Sequence, residues 1–151
     1  MTRRLLSAAV LLAMAAGLGC SARADGAPRI EEDRTACAHC GMLVSERVFA
    51  AAYRAPGQEP RVFDDIACLR AAARREGDPQ TLTYWFHDAE SRDWIDGRRA
   101  TFIHAAGLKT PMAGGMMAFA DAGAAARRAS DLDGRVIASL DDMLAGKESA
   151  R

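Results

Sequence analysis

The chain carries no excess of charge: its 20 Lys and Arg residues are matched by 20 Asp and Glu. A nucleic-acid surface needs a basic stripe, so nucleic acid is not expected as a partner. Histidine is scarce. The three residues, His39, His87 and His104, are scattered and form no cluster of the kind copper enzymes use. Long apolar runs are lacking too, since the stretch from Leu5 to Leu18 is too short for a comfortable membrane span. No second ligand pair accompanies Cys37 and Cys40 to close a tetrahedral structural zinc site.

What the N-terminus does contain reads as an address. Arg3 and Arg4 form a short basic head before the apolar run, so residues 1–19 are expected to be a signal peptide. Gly17-Leu18-Gly19-Cys20 reads as a lipobox in which Cys20 becomes the acylated first residue. That would place the mature protein in the periplasm, anchored to a membrane by lipid. Ala22-Arg23-Ala24 offers a competing cleavage site that would release a soluble periplasmic protein starting at Asp25. Residues 20–35 lack periodicity and read as a lipid-anchored flexible tether.

The remaining residues, 36–151, suffice for one functional unit with a compact core. Val48–Arg54 and Arg61–Phe63 read as strands around the Pro56-Gly57 turn. Asp64 or Asp65 caps a helix over Ile66–Arg75, and Thr81–Phe86 returns as a strand. The order then repeats: strands at Ala100–His104 and Met116–Phe119, a helix from Asp121 to about Ser130, and a strand at Arg135–Ala138. Leu140–Leu144 reads as a short terminal helix. The expected fold is α+β, with two ββαβ units at about residues 36–90 and 91–145.

The chemistry concentrates in Cys37-Ala38-His39-Cys40-Gly41-Met42, which packs two thiols, an imidazole and a thioether into one short stretch. Soft sulfur ligands select Cu(I) over hard cations. The same Cys-x-x-Cys spacing also suits a disulfide or thiol-disulfide exchange, using Cys37 and Cys40. Exchange chemistry favours a helix N-terminus for the pair, whereas Gly41-Met42-Leu43-Val44 reads as the start of a strand. Cys68 falls inside the first helix and reads as a small buried hydrophobe. Met116 and Met117 open an apolar strand and read as core. Met112 differs, because it stands between Pro111 and a small-residue loop with no apolar periodicity to bury it. His87 and His104 fall at strand ends and read as ordinary polar residues.

Taken in order, Cys37-Ala38-His39-Cys40-Gly41-Met42, Phe63-Asp64-Asp65 before a helix, Trp94-Ile95, and Thr110-Pro111-Met112 before Ala118-Phe119 resemble the NosL family. These are copper-binding lipoproteins accessory to nitrous oxide reductase. The resemblance spans nearly all of residues 36–145. It implies a pair of ββαβ units similar to those of the alkylmercury lyase family. It also implies a periplasmic chaperone for one Cu(I), with apo nitrous oxide reductase as client and a membrane ABC-type complex as partner in denitrification. The family's Cys-Gly-Met falls on Cys40 and Met42, and its Pro-Met loop on Met112. Cys37, His39 and Met116 are secondary candidates as ligands. A low-coordinate soft site with an open face suits delivery better than catalysis, so a non-enzymatic carrier is expected.

Overall fold

The computed structural model describes residues 26–146. The expected signal peptide, the lipidation site Cys20 and the first part of the tether therefore lie outside the described residues.

Two antiparallel sheets are built on the same plan. In the first, β1 (Ala51–Arg54) lies between β2 (Arg61–Phe63) and β3 (Thr83–His87), with β4 (Trp94–Asp96) added beyond β3. In the second, β5 (Thr101–His104) lies between β6 (Met116–Phe119) and β7 (Arg135–Ile137). Helix α1 (Ile66–Ala73) links β2 to β3, and α2 (Ala122–Asp131) links β6 to β7. Each unit is thus ββαβ, as the repeated order of elements implies. Helix α3 (Leu140–Ala145) closes the described chain.

The two connecting helices start alike for a chemical reason. Asp65 accepts the Ala67 N–H at 2.7 Å and Asp121 accepts the Ala124 N–H at 2.7 Å, each satisfying a first-turn donor that the helix itself leaves open. Between Asp64 and Asp65, the cap is Asp65.

Both sheets are covered on both faces, which explains strands that read as continuously apolar. Tyr53, Phe63, Tyr84 and Phe86 of the first sheet meet Phe102, Met116 and Ile137 of the second in a shared core that also holds Ile66 and Leu69 of α1. Beyond the second sheet, Ile103, Met117 and Phe119 pack on Ala125 and Ala129 of α2. Beyond the first, Ala50, Ala52, Trp85 and Trp94 are covered by Ile30.

That last contact corrects the expected tether. Residues 27–35 are fastened to the fold rather than free: Ile30 is buried, Trp94 Nε1 donates to the Pro28 carbonyl at 2.9 Å, and the Val44 N–H donates to the Thr35 carbonyl at 2.8 Å. Other differences are local. The 3-10 turns at Arg47–Phe49 and Pro79–Thr81 take up Val48, Phe49 and Thr81, the first residues of two expected strands, and β4 joins the first sheet although no strand is expected there. Among the described residues, no helix is long and apolar enough to cross a membrane.

Candidate metal centre

The Cys37–Met42 stretch folds as a closed turn rather than the start of a strand. Ala36 and Leu43 form an isolated antiparallel bridge, the Cys37 N–H donates to the Met42 carbonyl at 2.7 Å, and the Gly41 N–H donates to the Cys37 carbonyl at 3.0 Å. Gly41 has φ +79°, a left-handed value that glycine adopts at little cost. The turn is tied to β2 by the Ala38 N–H, which donates to Val62 at 2.8 Å. Because α1 follows β2 immediately, the turn comes to rest against the first turn of α1.

This placement brings a third thiol to the pair. The sulfur atoms of Cys37, Cys40 and Cys68 all lie within 4.8 Å of one another, and all three cysteines are free thiols. Cys37 and Cys68 are buried and Cys40 is half-buried. Cys68 is indeed buried as the sequence suggests, but what it is buried against is the Cys-x-x-Cys pair.

The electrostatics of the three sulfurs differ. Burial pushes the Cys37 thiol up, yet the backbone N–H groups of Cys40, Asp64 and His39 outweigh it and hold the thiol below its ordinary range. Burial raises the Cys68 thiol strongly, and the neighbouring sulfurs of Cys37 and Cys40 raise it further. Anionic sulfurs repel one another here unless a cation joins them.

The second unit contributes the loop carrying Met112. Asp65, while capping α1 through Oδ1, accepts through Oδ2 from the Thr110 hydroxyl at 2.5 Å and from the Met112 N–H at 3.0 Å. The Thr110 hydroxyl oxygen in turn accepts the Gly114 N–H at 2.9 Å. The approach is close enough to require glycine: a Cβ on Gly114 would stand 2.5 Å from Asp65 Oδ1 and 2.7 Å from Ala67 Cβ. The loop is therefore pinned to the same end of α1 that holds Cys68.

Met42 is 55% exposed and Met112 39%; with Leu43 at 47%, they are the large hydrophobic side chains left exposed among the described residues. Met116 is instead fully buried in the shared core, with its sulfur 4.0 Å from Arg70 Nη1. His39 is half-buried and contributes its backbone N–H to Cys37. Asp64 is buried, accepts the Ser45 N–H at 3.0 Å through Oδ1, and has no partner for Oδ2 among the described residues. Burial holds its carboxyl above the ordinary range against that N–H, and the Asp65 carboxylate adds to the effect.

Sequence reasoning misses Cys68 as a member of the centre and Asp65 as the anchor of the Met112 loop. The signal available for Cys68 is its position one turn after the capping Asp65, which puts it at the start of a helix.

Paired ββαβ units around one shared core, with three clustered thiols at the start of the first helix, define a small α+β protein with a candidate site for a soft metal. The NosL family model matches residues 29–145, and the chain belongs to that family. Its fold is that of the copper chaperone NosL from Shewanella denitrificans, with a TM-score of 0.66 at 15% identity, covering 77% of this chain and 93% of that one. No curated protein matches the sequence.

Proposed function

We propose that this protein is a periplasmic Cu(I) chaperone that carries one ion on Cys40, Met42 and Met112. Its client on this reading is apo nitrous oxide reductase, which it serves beside a membrane ABC-type complex while held to the membrane by a lipid on Cys20. The observation that carries the reading is the exposure of the two thioethers, Met42 two residues after the half-buried Cys40 and Met112 on the loop fastened to Asp65 at the start of the helix that bears Cys68. Methionine is normally buried, so two exposed methionines on the segments that carry and adjoin the cysteine cluster favour a ligand role. One thiolate with thioethers gives a low-charge soft site that favours Cu(I). Exposed thioethers can be displaced one at a time by a partner's ligands, which is what delivery requires. The solved relative that shares this fold is named a copper chaperone, and membership of the same family supports carrying that role across.

The test is an anaerobic Cu(I) titration of the reduced protein against a competing chelator. Cys40→Ala should weaken binding by about a hundredfold or more, and Met42→Ala or Met112→Ala by roughly tenfold each. Full affinity in all three variants would overturn the assignment.

A further inference from the structure

The cluster of three thiols contains more ligands than the proposed carrier site uses. Cys37 and Cys68 are buried, and their sulfurs lie within 4.8 Å of each other and of Cys40. In a trigonal site with metal–sulfur bonds of about 2.3 Å, the sulfurs stand about 4 Å apart. Side-chain rotation alone can close that difference. The three backbone N–H groups aimed at Cys37 supply positive potential where sulfur charge gathers. The apolar residues Phe63, Ile66 and Leu69 belong to the same core cluster as Cys37 and Cys68, so an ion held there is shielded from water.

We propose that Cys37, Cys40 and Cys68 form an inner coordination set for the same Cu(I), with Cys40 shared between it and the exposed thioether set. The ion then has two positions in one chain. The outer set holds most of the copper and presents it to a client, and the inner set is a second position shielded from solvent. Movement outward breaks the copper bonds to the Cys37 and Cys68 thiolates, which take up protons from solvent to return to thiols, and forms bonds to the Met42 and Met112 thioethers. Movement inward releases those protons, and neither direction changes the oxidation state. This inference rests on the Cu(I)-carrier reading.

The two fail differently in one experiment. Cu(I) is added anaerobically to the full mature chain, to Cys40→Ala, to Met42→Ala/Met112→Ala, and to the latter combined with Cys37→Ser. Affinity is read against a colorimetric Cu(I) chelator, and the copper shell by X-ray absorption. With an inner set present, the loss from removing both methionines saturates. The double variant then binds no more weakly than either single methionine variant, and its copper has an all-thiolate shell of three sulfurs at about 2.3 Å. Adding Cys37→Ser drops the affinity by a further tenfold or so. If the double methionine variant binds no better than Cys40→Ala, or its shell contains fewer than three sulfurs, the inner set is refuted and the carrier reading survives. No Cu(I) binding by the wild-type chain would instead remove the carrier reading itself. Both methionines are exposed, so the deciding variant leaves the core untouched.

Discussion

Asp65 holds two parts of the molecule with one carboxylate. Oδ1 caps α1 and Oδ2 fastens Thr110 and Met112, so the helix bearing Cys68 and the loop bearing Met112 are fixed to one residue. Asparagine is as good an N-cap as aspartate, which makes Asp65→Asn selective. Its amide can keep the cap but presents an NH2 group to the Met112 N–H and to a Thr110 oxygen that already accepts two N–H groups. The expected cost is about 1–3 kcal/mol in urea unfolding, with weaker Cu(I) binding from the released loop. Equal loss of helix content in Asp65→Asn and Asp65→Ala would show that the cap, not the loop, dominates. At this scale Met112 was legible because an exposed thioether in a small-residue loop has no packing explanation. Cys68 was not, because helical burial looks the same in sequence whether the neighbour is a leucine or a thiol.

Among the elements, the closed turn at Cys37–Met42 depends most on one backbone angle. Gly41 sits at φ +79° with nothing within 4 Å of where a Cβ would go, so any cost of substitution is backbone strain rather than collision. Gly41→Ala should destabilise the fold by about 1–2 kcal/mol, Gly41→Asn by less, and Gly41→Val by more. The order is checked by thermal melts of the three variants. A valine variant as stable as the asparagine one would mean the turn has abandoned this conformation. The two ββαβ repeats were readable because capping aspartates and apolar strands recur in the same order. Element edges were less so: residues 27–35 look like linker in composition, and only the Trp94 and Trp85 face they cover makes Ile30 a core residue. A three-residue strand such as β4 carries too short a pattern to stand out; its pairing with β3 identifies it.

Across the whole molecule, the two units are joined where β3 ends. Asp88 forms a parallel bridge with Ala118, its Oδ1 accepts the Ala120 N–H and its Oδ2 the Ser91 N–H, both at 2.9 Å. Beside it His87 is buried, with its ring 3.7 Å from that of Trp94. The thiols come from the first unit and Met112 from the second, so loosening this junction loosens the proposed copper site. Burial lowers His87 to about 4, the Ala50 carbonyl opposing and Arg47 assisting. An unfolded chain takes up the proton at about 6.5, before the fold does. Stability is therefore complete above pH 6.5 and falls as pH drops toward 4, at up to about 1.4 kcal/mol per unit and roughly 3 kcal/mol in all. Asp88 acts lower. Burial raises its carboxyl, but the N–H groups of Ser91, Ala120 and Glu90 outweigh this and hold it below the ordinary 3.8, so its contribution is lost as pH falls beneath that value. Urea midpoints measured from pH 7.5 to 4.5 should decline for the wild type, while His87→Gln, with no charge to acquire, should give a flatter line from a lower start. A wild-type midpoint constant over that range would mean that the fold does not hold His87 neutral and that the joint between the units is not acid-sensitive.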